Sequence, residues 1–189
     1  FINKPFEKNM ETEIAGLRSL YPSVFTLTDE DIIWIEETID KMSVKEKVAH
    51  LVMPWVQGRY YNENSANYQR LVTLVRDHKV GGLIFFQGDV TNQATLINKM
   101  QELADIPLLI SSDFERGLAM RIEDATSFPY NMALGATQDE ELVREMARIV
   151  AKETRALGVH QNYAPVADIN NNADNPIINI RAYAEDVDL

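Results

Sequence analysis

The sequence predicts an α/β fold built on a parallel sheet. Short apolar runs typical of buried strands alternate along the chain with stretches of helical periodicity. About four such strands occur, and consecutive parallel strands require right-handed crossovers. Four strand–helix units make half of an eight-stranded (β/α) barrel, and a doubly wound open sheet is the alternative. The sequence has no Gly-x-Gly-x-x-Gly or Walker motif to support a nucleotide-binding sheet.

Two capping boxes predict the first two helices. A Thr or Ser is followed three residues later by an acid at positions 28–31 and 43–46. We expect the first helix to run to about Lys41 and the second to reach Leu51. Residues 1–27 are mixed and weakly periodic, so they form a lead-in segment, and residues 28–189 form the domain proper.

The four predicted strands are the apolar runs at 51–56, 80–86, 106–112 and 159–164. Pro54 weakens the first of them, because proline cannot donate a hydrogen bond to a sheet ladder.

Helical spacing predicts three further helices between these strands. One ends near Lys79, and one covers 92–104 with Asp89 or Thr91 as its cap. The third begins at another capping box, 137–140, and precedes the last strand. This alternation of strand and helix is the basis of the predicted parallel pairing.

Composition excludes several classes of function. The net charge of −11 leaves no basic surface for a nucleic-acid partner. The chain has no cysteine, which removes disulfides, thiolate metal sites and a cysteine nucleophile. No run of eighteen apolar residues exists, so no membrane span is predicted. Because the chain begins at Phe1, we expect that any signal peptide has already been removed.

Asp113 is the first candidate for chemistry. It follows the apolar run at 108–110 and two serines, and an acid just past a parallel strand lies at the usual active-site face of such folds. A carboxylate at this place can accept two hydroxyl donors of the kind a sugar offers. The structural alternative is a helix cap or a salt bridge with Arg116 or Arg121.

Arg181 is the second candidate. It lies in the loop after the last predicted strand, and its guanidinium has five donors in a planar fork that can hold hydroxyls or carboxylates rigidly. The structural alternative is an ion pair with nearby Glu185 or Asp186.

Other polar patterns favour structural roles. Residues 168–174 place oxygens as a calcium loop does, but Ala173 and Asn179 stand where glycine and glutamate are needed, so a hydrogen-bonded turn is the better interpretation. The three histidines are far apart and have no metal-ligand spacing. A Gly-x-Ser-x-Gly elbow is absent, so a serine hydrolase is unsupported. No metal and no cofactor are predicted.

The ordered motifs of the second half resemble the amino-terminal domain of glycoside hydrolase family 3. The stretch Asp113-Phe-Glu-Arg-Gly-Leu-Ala-Met-Arg121 is similar to the family's Asp-x-Glu-Gly-Gly-x-x-x-Arg. It is followed by Phe128-Pro, Ala133-Leu-Gly-Ala-Thr137, Asn162-Tyr-Ala-Pro-Val-Ala-Asp168 and Arg181-Ala-Tyr-Ala-Glu-Asp186. The match covers roughly residues 39 to 189, and the pattern is closest to the β-N-acetylhexosaminidase branch.

This resemblance implies a (β/α)8 TIM-type barrel, of which the chain covers about the first half, and a retaining exo-glycosidase. By resemblance, Asp113 and Arg181 bind hydroxyls of the non-reducing sugar, while Asp168 braces its loop. The substrate implied is terminal β-linked N-acetylglucosamine. A β-glucosidase and a non-catalytic sugar-binding fragment are the alternatives.

The resemblance also implies that the catalytic groups lie beyond the chain. The family's nucleophile is an Asp on a later strand, and the hexosaminidase branch carries its acid/base on a histidine loop after a Lys-His pair. Glu115 and Glu185 are outside the catalytic motif, so no residue here is assigned as nucleophile or acid.

Two departures from the family pattern are present, since Arg116 replaces the first glycine of the usual pair and Leu118 replaces a common arginine. We expect Arg116 to reshape the rim of the sugar pocket.

The expected partners and location follow from the same interpretation. The partners are a small carbohydrate and either the remaining half of the barrel or a partner copy, because half a barrel leaves an open sheet edge. We expect the chain to be a fragment of a longer protein and an isolated fragment to be inactive. A bacterial periplasmic or extracellular location is favoured over a cytoplasmic one.

Overall fold

The computed structural model describes residues 27–188, and its contacts divide the chain into two units, 1–47 and 48–189. The predicted lead-in, 1–27, therefore lies almost entirely outside the described residues. Helix α1 (Asp29–Lys41) begins at the predicted capping box, in which the Asp31 N–H donates to the Thr28 hydroxyl at 3.2 Å and the Thr28 N–H donates to the Asp31 carboxylate at 2.8 Å.

Helix α2 (Val44–His50) begins at the second predicted box, where Ser43 and Glu46 exchange the same pair of hydrogen bonds. Both helix starts follow from local sequence alone, because a capping box satisfies two backbone donors within one turn.

The second unit is organised on a parallel sheet, which has five strands within residues 27–188. They are β1 (Trp55–Gly58), β2 (Gly82–Asp89), β3 (Leu109–Ser112), β4 (Ile122–Glu123) and β5 (Gln161–Asn162). The main path runs β1-β2-β3-β5, and β4 pairs with the end of β2. The strands of this path are laid down side by side in chain order. That is the order of a barrel, whereas a doubly wound sheet reverses direction after its first strands.

Helices lie between these strands along the chain. They are α3 (Ala66–Val72), which continues as a π-helical turn (Thr73–Asp77), α4 (Val90–Leu103), α5 (Asn131–Gly135) and α6 (Glu140–Ala156). Helix α4 contacts both β1 and β2. Asp89, one of the two predicted caps of α4, accepts the Asn92 N–H at 2.9 Å.

The third predicted capping box was wrong. Helix α6 is capped by Asp139, whose carboxylate accepts the Glu141 N–H at 2.9 Å. The Thr137 hydroxyl donates to the Leu134 carbonyl at 2.6 Å and so closes the end of α5 instead. Helix α5 was not predicted, because five residues are too few to show periodicity.

Each of the four predicted strands begins later in the structure than the sequence predicted. The predicted first strand, 51–56, pairs only from Trp55 onwards, after Pro54. The predicted last strand, 159–164, pairs only at Gln161–Asn162. Apolar residues flank both pairings, and hydrophobicity alone does not separate a paired residue from a buried neighbour.

The two faces of the sheet differ in burial. One face belongs to the core, where the strand side chains are almost fully buried (Val56, Leu83, Phe85 and Ile110). On the other face Trp55 is 62% exposed and Leu109 is 42% exposed. An open groove of about 640 Å³ lies on this side and is lined by Trp55, Ile84 and Phe86 among others. In a closed barrel such a face is filled by side chains from the other strands.

Candidate functional site

Asp113 lies one residue past the carboxyl end of β3, as the sequence predicted. Two hydrogen bonds fix this strand end to its neighbours. The Ser112 hydroxyl donates to the Phe85 carbonyl on β2 at 2.9 Å, and the Phe114 N–H donates to Asn162 Oδ1 on β5 at 2.7 Å. The backbone on both sides of Asp113 is therefore held at the edge of the sheet where ligands bind in parallel α/β folds.

The Asp113 carboxylate forms a two-point ion pair with Arg121. Arg121 Nε donates to Oδ1 at 2.6 Å, and Nη2 donates to Oδ2. The hydrogen bond to Asp113 raises the pKa of Arg121, with desolvation opposing it. Of the salt bridges that the sequence left open for Asp113, the structure forms this one. Each carboxylate oxygen keeps a further lone pair, so Asp113 can still accept a hydroxyl donor.

Arg121 is itself held from two sides. Its carbonyl accepts the Gly88 N–H from β2 at 2.9 Å, and its guanidinium lies over the Phe86 ring, 4.9 Å from the centroid. A guanidinium on an aromatic face gains cation–π attraction that a lysine would satisfy less well. The arginine therefore fixes the orientation of the Asp113 carboxylate.

Arg181 forms a second two-point ion pair, with Glu115. Arg181 Nε donates to Oε2 at 2.9 Å and Nη2 to Oε1 at 2.6 Å, and Glu115 is only 8% exposed. The hydrogen bond to Glu115 raises the pKa of Arg181, while desolvation lowers it. The predicted structural partners, Glu185 and Asp186, do not pair with Arg181. A buried carboxylate needs a charged partner, and Glu115 is the buried one.

Asn131 fixes the loop that carries Arg181. Its Nδ2 donates to the Arg181 carbonyl at 2.8 Å, and the residue is 2% exposed. Within the described part of the chain, its Oδ1 has no hydrogen-bond partner. Asn131 also lines a pocket of about 260 Å³, together with Glu115, Arg116, Met120, Arg121, Tyr130 and Arg181. Glu115, Arg121, Arg181 and this asparagine thus line one cavity, and Asp113 is bound to it through Arg121.

Asp168 is not among the residues that line this pocket. Its side chain is exposed, and its charge helps to raise the pKa of Arg181. Its predicted role in bracing the loop stays a prediction. The following segment forms a turn in which the Asp174 N–H donates to Asn172 Oδ1 at 3.0 Å.

Residues 27–188 contain no group of three or more His, Asp or Glu side chains placed to hold a metal ion. Over the same residues, no helix combines the length and the apolar character needed to cross a bilayer.

A family model described as the glycosyl hydrolase family 3 N terminal domain matches residues 43–189. The chain belongs to glycoside hydrolase family 3. It is 33% identical over 164 residues to a β-N-acetylglucosaminidase/β-glucosidase of Cellulomonas fimi, covering 86% of this chain and 28% of that protein. It is 38% identical over 128 residues to a β-hexosaminidase A of Pseudoalteromonas piscicida, covering 61% of this chain and 21% of that protein.

Solved structures agree on the fold. A structure titled "Beta-glucoside phosphorylase BglX bound to 2FGlc" matches with a TM-score of 0.75 at 26% identity, covering 86% of this chain and 28% of that one. The predicted barrel-type α/β fold and the predicted family are therefore confirmed. The chain spans between about a fifth and a little over a quarter of the length of these relatives.

Sequence reasoning did not find Glu115 as the partner of Arg181, or Asn131 as the support of its loop. The two members of each contact are 66 and 50 residues apart, so spacing gives no signal. The available signal was the family motif itself, because Glu115 stands at the Glu position of its Asp-x-Glu stretch, two residues after Asp113.

Proposed function

We propose that this chain is the substrate-binding half of a retaining exo-glycosidase that releases terminal β-linked N-acetylglucosamine. The observation that carries the proposal is the pair of two-point ion pairs, Asp113–Arg121 and Arg181–Glu115, beside one pocket at the carboxyl edge of the sheet. Carboxylate and guanidinium groups held this rigidly suit a ligand with many hydroxyls in fixed directions.

In this proposal Asp113 accepts, and Arg181 donates to, hydroxyls of the non-reducing sugar. Each group is oriented by a charged partner, so little conformational entropy is lost when the sugar binds. The arrangement favours a small carbohydrate partner over an extended polymer surface.

We place the nucleophile and the acid/base outside this chain. A retaining glycosidase needs two carboxyl groups about 5 Å apart or an equivalent pair, one of which must carry a proton. Asp113 and Glu115 each bind a guanidinium at two points, so we assign them to binding and positioning and not to this catalytic pair. The short coverage of the relatives supports the same placement, since most of each relative lies outside the match.

The N-acetylglucosamine specificity is supported by the names of relatives, several of which are hexosaminidases. A second candidate acts on β-glucosides and transfers the sugar to phosphate. Two structures titled as the β-glucoside phosphorylase BglX, with TM-scores of 0.75 and 0.70, favour it. The name of the Cellulomonas fimi relative includes both β-N-acetylglucosaminidase and β-glucosidase. The two candidates therefore differ mainly in whether the bound sugar has an acetamido group.

The proposal also includes what covers the exposed face of the sheet and where the enzyme is located. The exposed apolar face of the sheet is covered by the remaining half of the barrel or, failing that, by a partner copy. We place the enzyme in the bacterial periplasm or outside the cell, a location supported by the "Periplasmic beta-glucosidase/beta-xylosidase" of Dickeya chrysanthemi, 34% identical over 145 residues.

The test measures kcat/KM of the full-length enzyme on aryl N-acetyl-β-glucosaminide and on aryl β-glucoside, with and without phosphate. We expect the N-acetyl substrate to be preferred, and Arg181→Ala to lower kcat/KM by about 2 kcal/mol, roughly thirtyfold, the usual cost of a charged hydrogen bond. Arg144→Ala, on the outer helix α6, is the control. An unchanged value in Arg181→Ala contradicts the assignment, and a phosphate requirement with the glucoside selects the second candidate.

A further inference from the structure

Arg116 differs from the two other arginines of the pocket because it makes no ion pair with any residue in the described range. Its guanidinium lies over the Tyr130 ring, 4.9 Å from the centroid, and Nη1 donates to the Ser127 hydroxyl at 3.1 Å. Arginine has five N–H donors, so most of its hydrogen-bonding capacity is unused by the protein. Arg121 and Arg181, by contrast, each bind a carboxylate at two points.

The backbone holds Arg116 in place at the pocket. Its carbonyl accepts the Phe128 N–H at 2.9 Å. The next residue, Gly117, has φ of +93°, and a Cβ there would lie 2.5 Å from the Thr126 carbonyl oxygen. A glycine is therefore required directly after Arg116, and the loop is pressed against residues 126–128. The stacked guanidinium is thus a fixed feature of the rim and not a freely moving surface side chain.

The pocket beside Arg116 is the one that the two ion pairs border. Glu115, Arg121 and Arg181 line it together with Arg116. These three groups are paired within the protein, so Arg116 is the unpaired cation of this pocket among the described residues.

We propose that Arg116 is a specificity-determining residue that binds an oxyanion, a carboxylate or a phosphate, next to the bound sugar. The guanidinium fork matches both groups at two points, and stacking on Tyr130 fixes its plane. The oxyanion has two sources, a charged group on the part of the substrate that leaves or free inorganic phosphate. This inference rests on the proposed glycoside-processing function.

The test is equilibrium binding by calorimetry to the full-length protein. The probes are phenyl N-acetyl-β-thioglucosaminide, its 4-carboxyphenyl counterpart and inorganic phosphate, none of which requires catalysis. For an attached oxyanion, we expect the carboxyphenyl ligand to bind about fivefold more tightly than the neutral one, a gain that suits a partly exposed charged pair. The ratio should fall to about one in Arg116→Ala and lie between these values in Arg116→Lys. Arg70→Ala, on the surface of α3, controls for the change in net charge.

The outcomes separate the two sources and the two proposals. Phosphate binding that is lost in Arg116→Ala, without a carboxylate preference, supports free phosphate as the oxyanion. Equal affinities for both glycosides together with phosphate binding that does not depend on Arg116 overturn the inference. If the glycosides bind but the matching oxygen-linked substrates are not cleaved, the proposed activity fails while the Arg116 site stands. If neither glycoside binds, the sugar assignment fails, and the phosphate measurement still decides the role of Arg116.

Discussion

At the scale of single residues, two specific ion pairs border the pocket, while Arg116 at its rim has no ion-pair partner among the described residues. Asp113 is oriented by Arg121, and Arg181 by Glu115, which is the more deeply buried carboxylate. A buried carboxylate left without its arginine would be strongly destabilising, so these pairs specify geometry as well as charge. Sequence reasoning could select Asp113 and Arg181 because they follow strands. It could not assign their partners, since contacts across many residues depend on the tertiary fold.

His160, which directly precedes β5, is the residue through which we expect the stability of the fold to depend on pH. Its Nδ1 accepts the Ile110 N–H at 3.1 Å, and burial, with the charge of Arg155 adding to it, lowers the pKa of His160 below the usual 6.5. A depressed histidine pKa means that the folded state binds fewer protons than the unfolded state near that pH. The stability contributed by neutral His160 is therefore complete above pH 6.5 and is lost as the pH falls below it.

We expect acidification from pH 7.5 to 5.5 to lower the free energy of unfolding of the wild type more than that of His160→Asn. Asparagine keeps an acceptor for the Ile110 N–H but does not titrate. Chemical denaturation of the full-length protein at both pH values measures the difference. Equal pH dependence in the two proteins would show that His160 does not couple protonation to folding.

At the scale of elements, local sequence predicted where helices begin better than where strands begin and end. The capping boxes of α1 and α2 form as predicted because both partners lie within one helical turn. The box predicted at 137–140 fails because Thr137 Oγ1 accepts the Asp139 N–H at 3.2 Å, before the helix begins, and Asp139 caps α6 instead. Strands β4 and β5 have only two residues each, and no periodicity can be read from two residues. The alternation of strands and helices predicted that the strands pair in parallel, but not which residues pair.

The cap of α4 gives a prediction at this scale. Asp89 accepts the Asn92 N–H at 2.9 Å and its pKa is lowered, mainly by that backbone hydrogen bond. We expect Asp89→Ala to lower the free energy of unfolding, because it removes the N-cap of α4. Thr91→Ala, at the other position the sequence offered as a cap, is the matched control and should change stability much less. Denaturant titration measures both, and equal effects would contradict the assignment of Asp89.

At the scale of the whole molecule, the chain-order sheet β1-β2-β3-β5 with one buried and one half-exposed face fits the family's barrel. The family and the fold were predictable from ordered motifs, because the polar residues after successive strands recur in a fixed order. The activity was less accessible, since we propose that the catalytic groups lie outside the chain. What the described residues provide is a pocket at the carboxyl edge of the strands, bordered by two ion pairs, which we propose binds the sugar.

The most direct test of this account is hydrolysis of an aryl N-acetyl-β-glucosaminide by the isolated 189-residue chain, measured beside the full-length protein. We predict no turnover by the isolated chain and clear turnover by the full-length protein, which Asp113→Ala sharply reduces. Circular dichroism of the isolated chain, compared with its helix and strand content here, serves as the control for folding. Turnover by the folded isolated chain that disappears in Asp113→Ala would contradict the claim that this half binds the sugar while the catalytic groups lie elsewhere.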